Sequence, residues 1–307
     1  MRRLVLRRLL GGVIVLFAVH LATVAAMRAL PGDTWADAAG DRTLPPAAMA
    51  ELRARYGADR SFLVQYGEDL AARLRGELGV SLKLARGEPV AELIGRALPV
   101  SIGLGCGALL VGLVGGLLAG AWSALRQNRW PDHLVRLGAS LGISTPEFVL
   151  GTVLLLVFSL ALGWFPAGGL AHPGALVLPV LTLGLPLAAA FARLVRTSLI
   201  EELDAGFVRT ARAKGASECR VVLEHALRPA FGPVLAWFAA AAANVLTGSM
   251  AVETLFAIPG LGWCFVAGAV QQDWPVVTGA ALVFALALVV CNLLADLCLA
   301  WLDPRTR

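Results

Sequence analysis

Of 307 residues, 58% are apolar and only 15% are Asp, Glu, Lys or Arg, against about a quarter charged in a soluble domain. The formal net charge is +5, yet no compact basic patch with interleaved aromatics occurs, which argues against a nucleic-acid partner. The composition points instead to an all-α protein dissolved in membrane lipid, with its positive charge gathered on one side.

Spanning the hydrocarbon core takes roughly 20 apolar residues, and six stretches qualify. The first, 10–27, follows MRRLVLRRLL and imitates a secretory leader. It is longer than the apolar part of such a leader and more spans follow, so we read it as an uncleaved first helix. The polar stretch 31–96 comes next. Thr43, Pro45 and Pro46 mark a helix start and Gly57 its end. Phe62, Tyr66, Leu70 and Leu74 then recur every fourth residue and predict a second helix with one apolar face, stopped by Gly79. The second span lies within 97–125 and carries Gly103, Gly107, Gly112, Gly116 and Gly120 on one face. Such a flat stripe lets backbones approach closely, and packing within the chain is the simpler use of it than packing on a second subunit. The third span, 134–162, is interrupted by Arg136, Pro146 and Glu147. The remaining spans are 175–192, within 229–252 and within 275–295.

Arg and Lys in the short loops set the orientation. Arg2, Arg3, Arg7, Arg8, Arg126, Arg129, the cluster from Arg193 to Arg228, Arg305 and Arg307 share one side, whereas loops 163–174 and 256–274 hold no Arg or Lys. Both termini are therefore assigned to the cytoplasm. The chain divides into 1–30 (N-terminus and first helix), 31–97 (external helical segment), 98–302 (the remaining spans with a cytoplasmic loop at 193–228) and 303–307 (cytoplasmic tail).

No catalytic pattern stands out. There is no GxxxxGK[ST] phosphate loop, and Lys83 and Lys214 are the only lysines. The GxSxG match at 138–142 lies inside an apolar span, without the strand–turn–helix setting a nucleophile elbow needs. The five cysteines form no CxxC pair and read as buried free thiols, and the four histidines are scattered, so no metal site and no cofactor is expected.

The longest cytoplasmic loop, 193–228, is the informative one. Leu199, Leu203, Phe207 and Ala211, spaced by four, predict one face of a helix. Gly215 suits a left-handed close to that helix, with Arg212 and Lys214 in its last turn. Ser217 and Glu218 suit the start of a second helix, with Val221, Val222, Ala226 and Leu227 as its apolar contacts. The product is a helix–glycine–helix knuckle.

This loop resembles the EAA loop of ABC-importer permeases, which reads EAA, three residues, Gly, nine residues, I-x-L-P. Ala211, Gly215 and Leu227 fit, while Arg209, Thr210, His225 and Arg228 depart from it. The variant RTARAKG…HAL, including Arg209, Thr210, Ala211, Arg212, Lys214, Gly215 and His225, is similar to the peptide/nickel branch of that family. So are LPGD at 30–33, VQY at 64–66, LGVS at 78–81, WFPAGG at 164–169, ETLFAIPGLG at 253–262 and LDPR at 302–305. DRTLPP at 41–46 and TGSM at 247–250 look most like the first permease subunit of oligopeptide importers. The resemblance covers nearly the whole chain. It implies the type I importer permease fold, N-in and C-in, in the bacterial cytoplasmic membrane. It also implies a heterodimer with a second homologous permease, two cytoplasmic ATP-binding subunits and an external solute-binding protein, with the knuckle docking on an ATPase. Dipeptide, nickel-chelate and glutathione importers share these motifs. From other classes, an ion-coupled secondary transporter would need inverted repeats and midplane ligands, and a structural assembly factor would need no ATPase.

Two acidic residues stand as candidates for the translocation pathway. Glu147, about 20 Å along a span that begins near Leu134, lies near mid-membrane, where a carboxylate is costly; an interfacial position is the alternative. Glu253 lies where the fifth span emerges, before a proline–glycine stretch that suits either a re-entrant gate or a plain turn.

Overall fold

The computed structural model describes residues 2–29 and 61–302. The helix expected after Thr43, together with the LPGD and DRTLPP segments, lies outside the described residues. In chain order the helices are α1 (Arg2–Ala29), α2 (Phe62–Leu74), α3 (Val90–Leu125), α4 (Trp130–Ser144) and α5 (Glu147–Leu154), which continues as a π-helix over Leu155–Ala161. Then come α6 (Val177–Leu203), α7 (Gly206–Ala213) and α8 (Glu218–Arg220), which leads through a π-helical Val221–Ala226 into α9 (Leu227–Gly248). The last three are α10 (Met250–Leu255), α11 (Leu261–Gln271) and α12 (Trp274–Leu302). Among the described residues no strand is present beyond one isolated bridge, Val80 with Pro89.

Among the described residues four helices are long and apolar enough to cross a membrane: 5–27 within α1, α3, α6, and 274–297 within α12. The pair α4 and α5 passes the same test jointly as a span bent by 109°. The bend has a local cause. Proline clashes with a helical residue before it, and Thr145, preceding Pro146, adopts ψ 122°. Its hydroxyl donates to Leu141 O at 2.7 Å, so the freed end of α4 is satisfied.

The glycine stripe packs within the chain, on α6. A Cβ at Gly112 would sit 2.6 Å from Leu187 Cβ, and one at Gly120 would sit 2.6 Å from Ala192 O. Gly103 meets nothing within 4 Å. Around this pair the core of the described residues forms three tiers and a further cluster of Phe191, Val195 and Val234. At one end Val90, Ile94, Leu261, Cys264 and Val276 pack together. Leu104, Ala108, Leu178, Val252 and Phe256 fill the middle. Ala124, Leu199, Val208, Ala211, Val221 and Ala226 close the other end. Of the cysteines, Cys264 is buried as expected but Cys106 faces outward.

The stretch 61–89 is laid over the first tier. Tyr66 of α2 stands 5.0 Å, ring to ring, from the buried His20 of α1. Leu74, expected on the apolar face, is instead exposed, because α2 ends there and the chain turns at Gly76 (φ +83°), ahead of Gly79.

Candidate functional site

The knuckle is built differently from the helix expected over Leu199–Ala211. α6 ends at Leu203 and Ala205 is extended (φ −68°, ψ 150°), so α7 restarts at Gly206 in a new register. Val208 takes the buried position and Phe207 turns outward, 47% exposed. Gly215 has φ +84°, as its sequence context predicts. The Ala216 N–H donates to Ala211 O at 3.2 Å and the Gly215 N–H to Arg212 O at 2.9 Å, closing α7 on its own carbonyls. Ser217 sits at the start of α8 but its hydroxyl makes no capping bond.

Across the turn the Arg212 guanidinium grips Glu218 with two bonds of 2.9 and 3.1 Å, which raises the pKa of the arginine. Ala211, Val208, Val221 and Ala226 root the knuckle on Ala124 and Leu199 at the ends of α3 and α6. Arg209, Thr210 and Lys214 remain exposed and His225 is half-buried. The surface left free thus combines cations with two exposed apolar side chains, Phe207 and Leu223.

Away from the knuckle, between the middle tier and the first, two of the sequence motifs meet. Gly169 of WFPAGG donates its N–H to Phe256 O of ETLFAIPGLG at 2.9 Å. Glu253 lies beneath, fully buried. It accepts from Ser101 Oγ of α3 at 2.7 Å, from Ser249 Oγ, and from the Trp263 N–H at 3.0 Å. Ser101 Oγ in turn accepts from the Leu261 N–H at 2.8 Å. A carboxylate and a hydroxyl thereby cap the first turn of α11, where an anion is favoured. Gly260 and Gly262 are required by this arrangement, since a Cβ at Gly260 would lie 2.5 Å from the Glu253 carboxyl carbon.

Glu147 opens α5 at the bend and is exposed on the outside of the chain. The two pathway candidates are therefore placed apart, one enclosed and one facing outward.

The binding-protein-dependent transport system inner membrane component model matches residues 116–307, and its N-terminal companion matches 1–81. The chain belongs to this family of transport permeases. As a permease it is a transport component rather than an enzyme, a multi-pass protein of the inner membrane. The oligopeptide transport system permease protein OppB of Haemophilus influenzae is 37% identical over 310 residues, covering 100% of both chains. The glutathione transport system permease protein GsiC of Escherichia coli O6:H1 is also 37% identical, over 304 residues, covering 99% of this chain and 98% of that one. In fold, the permease is similar to a chain of the MetNI methionine ABC transporter in an inward-facing crystal form. The TM-score is 0.60 at 20% identity, covering 71% of this chain and 99% of the other.

Two polar hubs of the permease escape the sequence reading. Asp273, fully buried, accepts from Ser81 Oγ at 2.6 Å and from the N–H groups of Leu82, Lys83 and Leu84 at 2.9–3.0 Å. It ties the LGVS turn to the start of α12. Asp132, also buried, accepts from Ser123 Oγ at 2.6 Å, from the Asn128 N–H at 2.9 Å and from both arms of Arg196 at 2.6 and 2.9 Å. That joins α3, α4 and α6 at the knuckle end. Each aspartate adjoins a Trp–Pro pair at a helix start, which is the local signal that marks them.

Proposed function

We propose that this permease forms half of the translocation pathway of a type I ATP-driven importer for peptides, with oligopeptides as the favoured cargo. A second, homologous permease forms the other half, two cytoplasmic ATP-binding subunits drive the pair, and an external solute-binding protein delivers the cargo. In this reading α9 is the fifth of six spans and α12 the sixth, both termini are cytoplasmic, 31–97 is external and 303–307 is a cytoplasmic tail. The observation that carries the reading is the knuckle. It is capped by Gly215, rooted on the ends of two spans and bare at Phe207, as a part must be that takes a push from an ATPase and passes it to the membrane helices. Full-length likeness to OppB supports the peptide cargo. Equal identity to a glutathione permease means that identity alone does not choose between them, and the DRTLPP and TGSM segments favour oligopeptides.

The test is Gly215→Val. A non-glycine residue in the left-handed region costs about 1–2 kcal/mol, enough to distort the knuckle without unfolding the spans. Uptake and substrate-stimulated ATP hydrolysis are expected to fall together while the membrane level of the protein holds. Normal uptake by the variant would overturn the assignment.

Glu147 supports the pathway reading by its depth and its outward aspect. α4 runs 15 residues before the bend, about 22 Å, and a carboxylate there calls for a polar or charged neighbour. A peptide's free amino terminus supplies one. Glu147→Gln is expected to lower uptake of peptides with a free amine more than uptake of N-blocked ones. Equal uptake of both classes by wild type and variant would assign Glu147 to the interface.

A further inference from the structure

At the arginine-rich end, α4 and α6 part to leave a cleft of about 440 Å³, floored by Ala139 and Ala192 and rimmed by Arg136, Ser140, Arg193 and Arg196. Arg196 is committed to Asp132. Arg136 and Arg193 are exposed and have no carboxylate within ion-pair distance among the described residues. A guanidinium is paired or hydrated wherever it can be, and at the edge of hydrocarbon an unpaired one is expensive.

The level of the cleft in the membrane is marked independently. Trp122 and Trp130 are both exposed, lie edge to face with centroids 6.2 Å apart, and have the Arg126 guanidinium 5.9 Å from the Trp122 ring. Exposed tryptophans with adjoining arginines sit at the headgroup level. Arg136 is six residues along α4 from Trp130, about 9 Å, within reach of that level for a long side chain. The opposite face of α4 carries Leu134, Leu137 and Leu141, all more than half exposed. Their spacing of three and four is that of a helix lying against lipid. The cleft therefore opens at the depth of lipid phosphates, with two guanidiniums that have no carboxylate partner among the described residues.

We propose that this cleft binds the headgroup of one anionic phospholipid, the phosphate held between Arg136 and Arg193. The planar fork of arginine suits a phosphate by paired hydrogen bonds, and a lipid without a cancelling cation in its headgroup leaves that charge free for both. The assignment does not depend on which peptide the permease carries.

The full chain, with its partner subunits, would be placed in phosphatidylcholine nanodiscs containing a minor fraction of phosphatidylglycerol, and retained lipid counted by native mass spectrometry after extraction. The wild type is expected to keep phosphatidylglycerol over phosphatidylcholine. R136Q/R193Q is expected to weaken that retention about thirty-fold, the combined effect of two arginines at the membrane surface. R126Q/R129Q, which removes the same charge outside the cleft, is expected to leave it unchanged. R136K/R193K keeps the charge but loses the planar fork and is expected to recover part of the retention, which also shows that the site tolerates substitution. Equal loss in both glutamine pairs, or no preference in the wild type, would overturn the proposal in favour of diffuse surface charge. Loss of the second permease from the R136Q/R193Q complex would reassign the cleft to a subunit contact. Displacement of the lipid by a short peptide with a free carboxyl terminus, but not by its amide, would reassign it to the exit of the pathway.

Discussion

Glu253→Ala is expected to lower the stability of the permease by roughly 3–5 kcal/mol, with the loss concentrated in 253–263. The substitution removes the shared acceptor of Ser101 Oγ, Ser249 Oγ and the Trp263 N–H, and each buried donor left unpaired costs about 1–3 kcal/mol. It also takes the anion from the first turn of α11. Thermal unfolding of the purified complex and hydrogen exchange at the amides of 261–263 are the measurements. Glu253→Gln, which keeps one acceptor and the shape, is expected to lose about half as much. If Glu253→Ala melts with the wild type, the carboxylate is not the fastener of this loop. If Glu253→Gln instead alters which peptides are taken up while the melting point is unchanged, Glu253 acts on cargo and the enclosed geometry is not the working one.

The second large effect has an unusual sign. Glycine to alanine in a helix interior ordinarily gains about 1 kcal/mol. At Gly116 and Gly120 it is expected to lose about 3 kcal/mol. A Cβ at Gly116 would lie 2.9 Å from Ala188 O, and one at Gly120 2.6 Å from Ala192 O and 2.8 Å from Val195 Cβ. Two of these obstacles are backbone, so α3 and α6 have to separate, and overpacking of that kind costs about 1–3 kcal/mol per site. Gly103→Ala, where nothing lies within 4 Å, is the matched control and is expected to be neutral or stabilising. Melting curves of the three variants in detergent decide the matter. Equal behaviour of Gly103→Ala and Gly116→Ala/Gly120→Ala would show that the stripe is not a packing surface.

The membrane helices were legible because apolar runs of span length are a local property. Four of the predicted intervals fall on the helices long and apolar enough to cross a membrane, the third falls on the bent pair, and the interval within 229–252 falls on α9 and the start of α10. The left-handed close at Gly215 was legible for the same reason, since it needs only glycine and its neighbours. The restart at Gly206 was not. The spacing of Leu199, Leu203, Phe207 and Ala211 fits one continuous helix, and what breaks it is burial of Val208 against Val221 and Ala124, a contact across the chain. Asp273 and Asp132 stayed hidden because their partners lie at sequence separations of up to 192 and 64. Glu253 was singled out by its position beside a proline–glycine stretch, but its enclosure depends on Ser101, 152 residues away.

The close seating of α3 on α6 has a mechanical corollary. Two helices whose backbones touch along Gly112, Gly116 and Gly120 have no compliant side-chain layer between them, so neither sliding nor splaying is cheap. They travel as one plank. Any change of shape is then left to the joints at the plank's rim. One is the extended link at Ala205, where the knuckle attaches. The other is the elbow at Pro146, where α5 swings away from α4 with Glu147 at its tip.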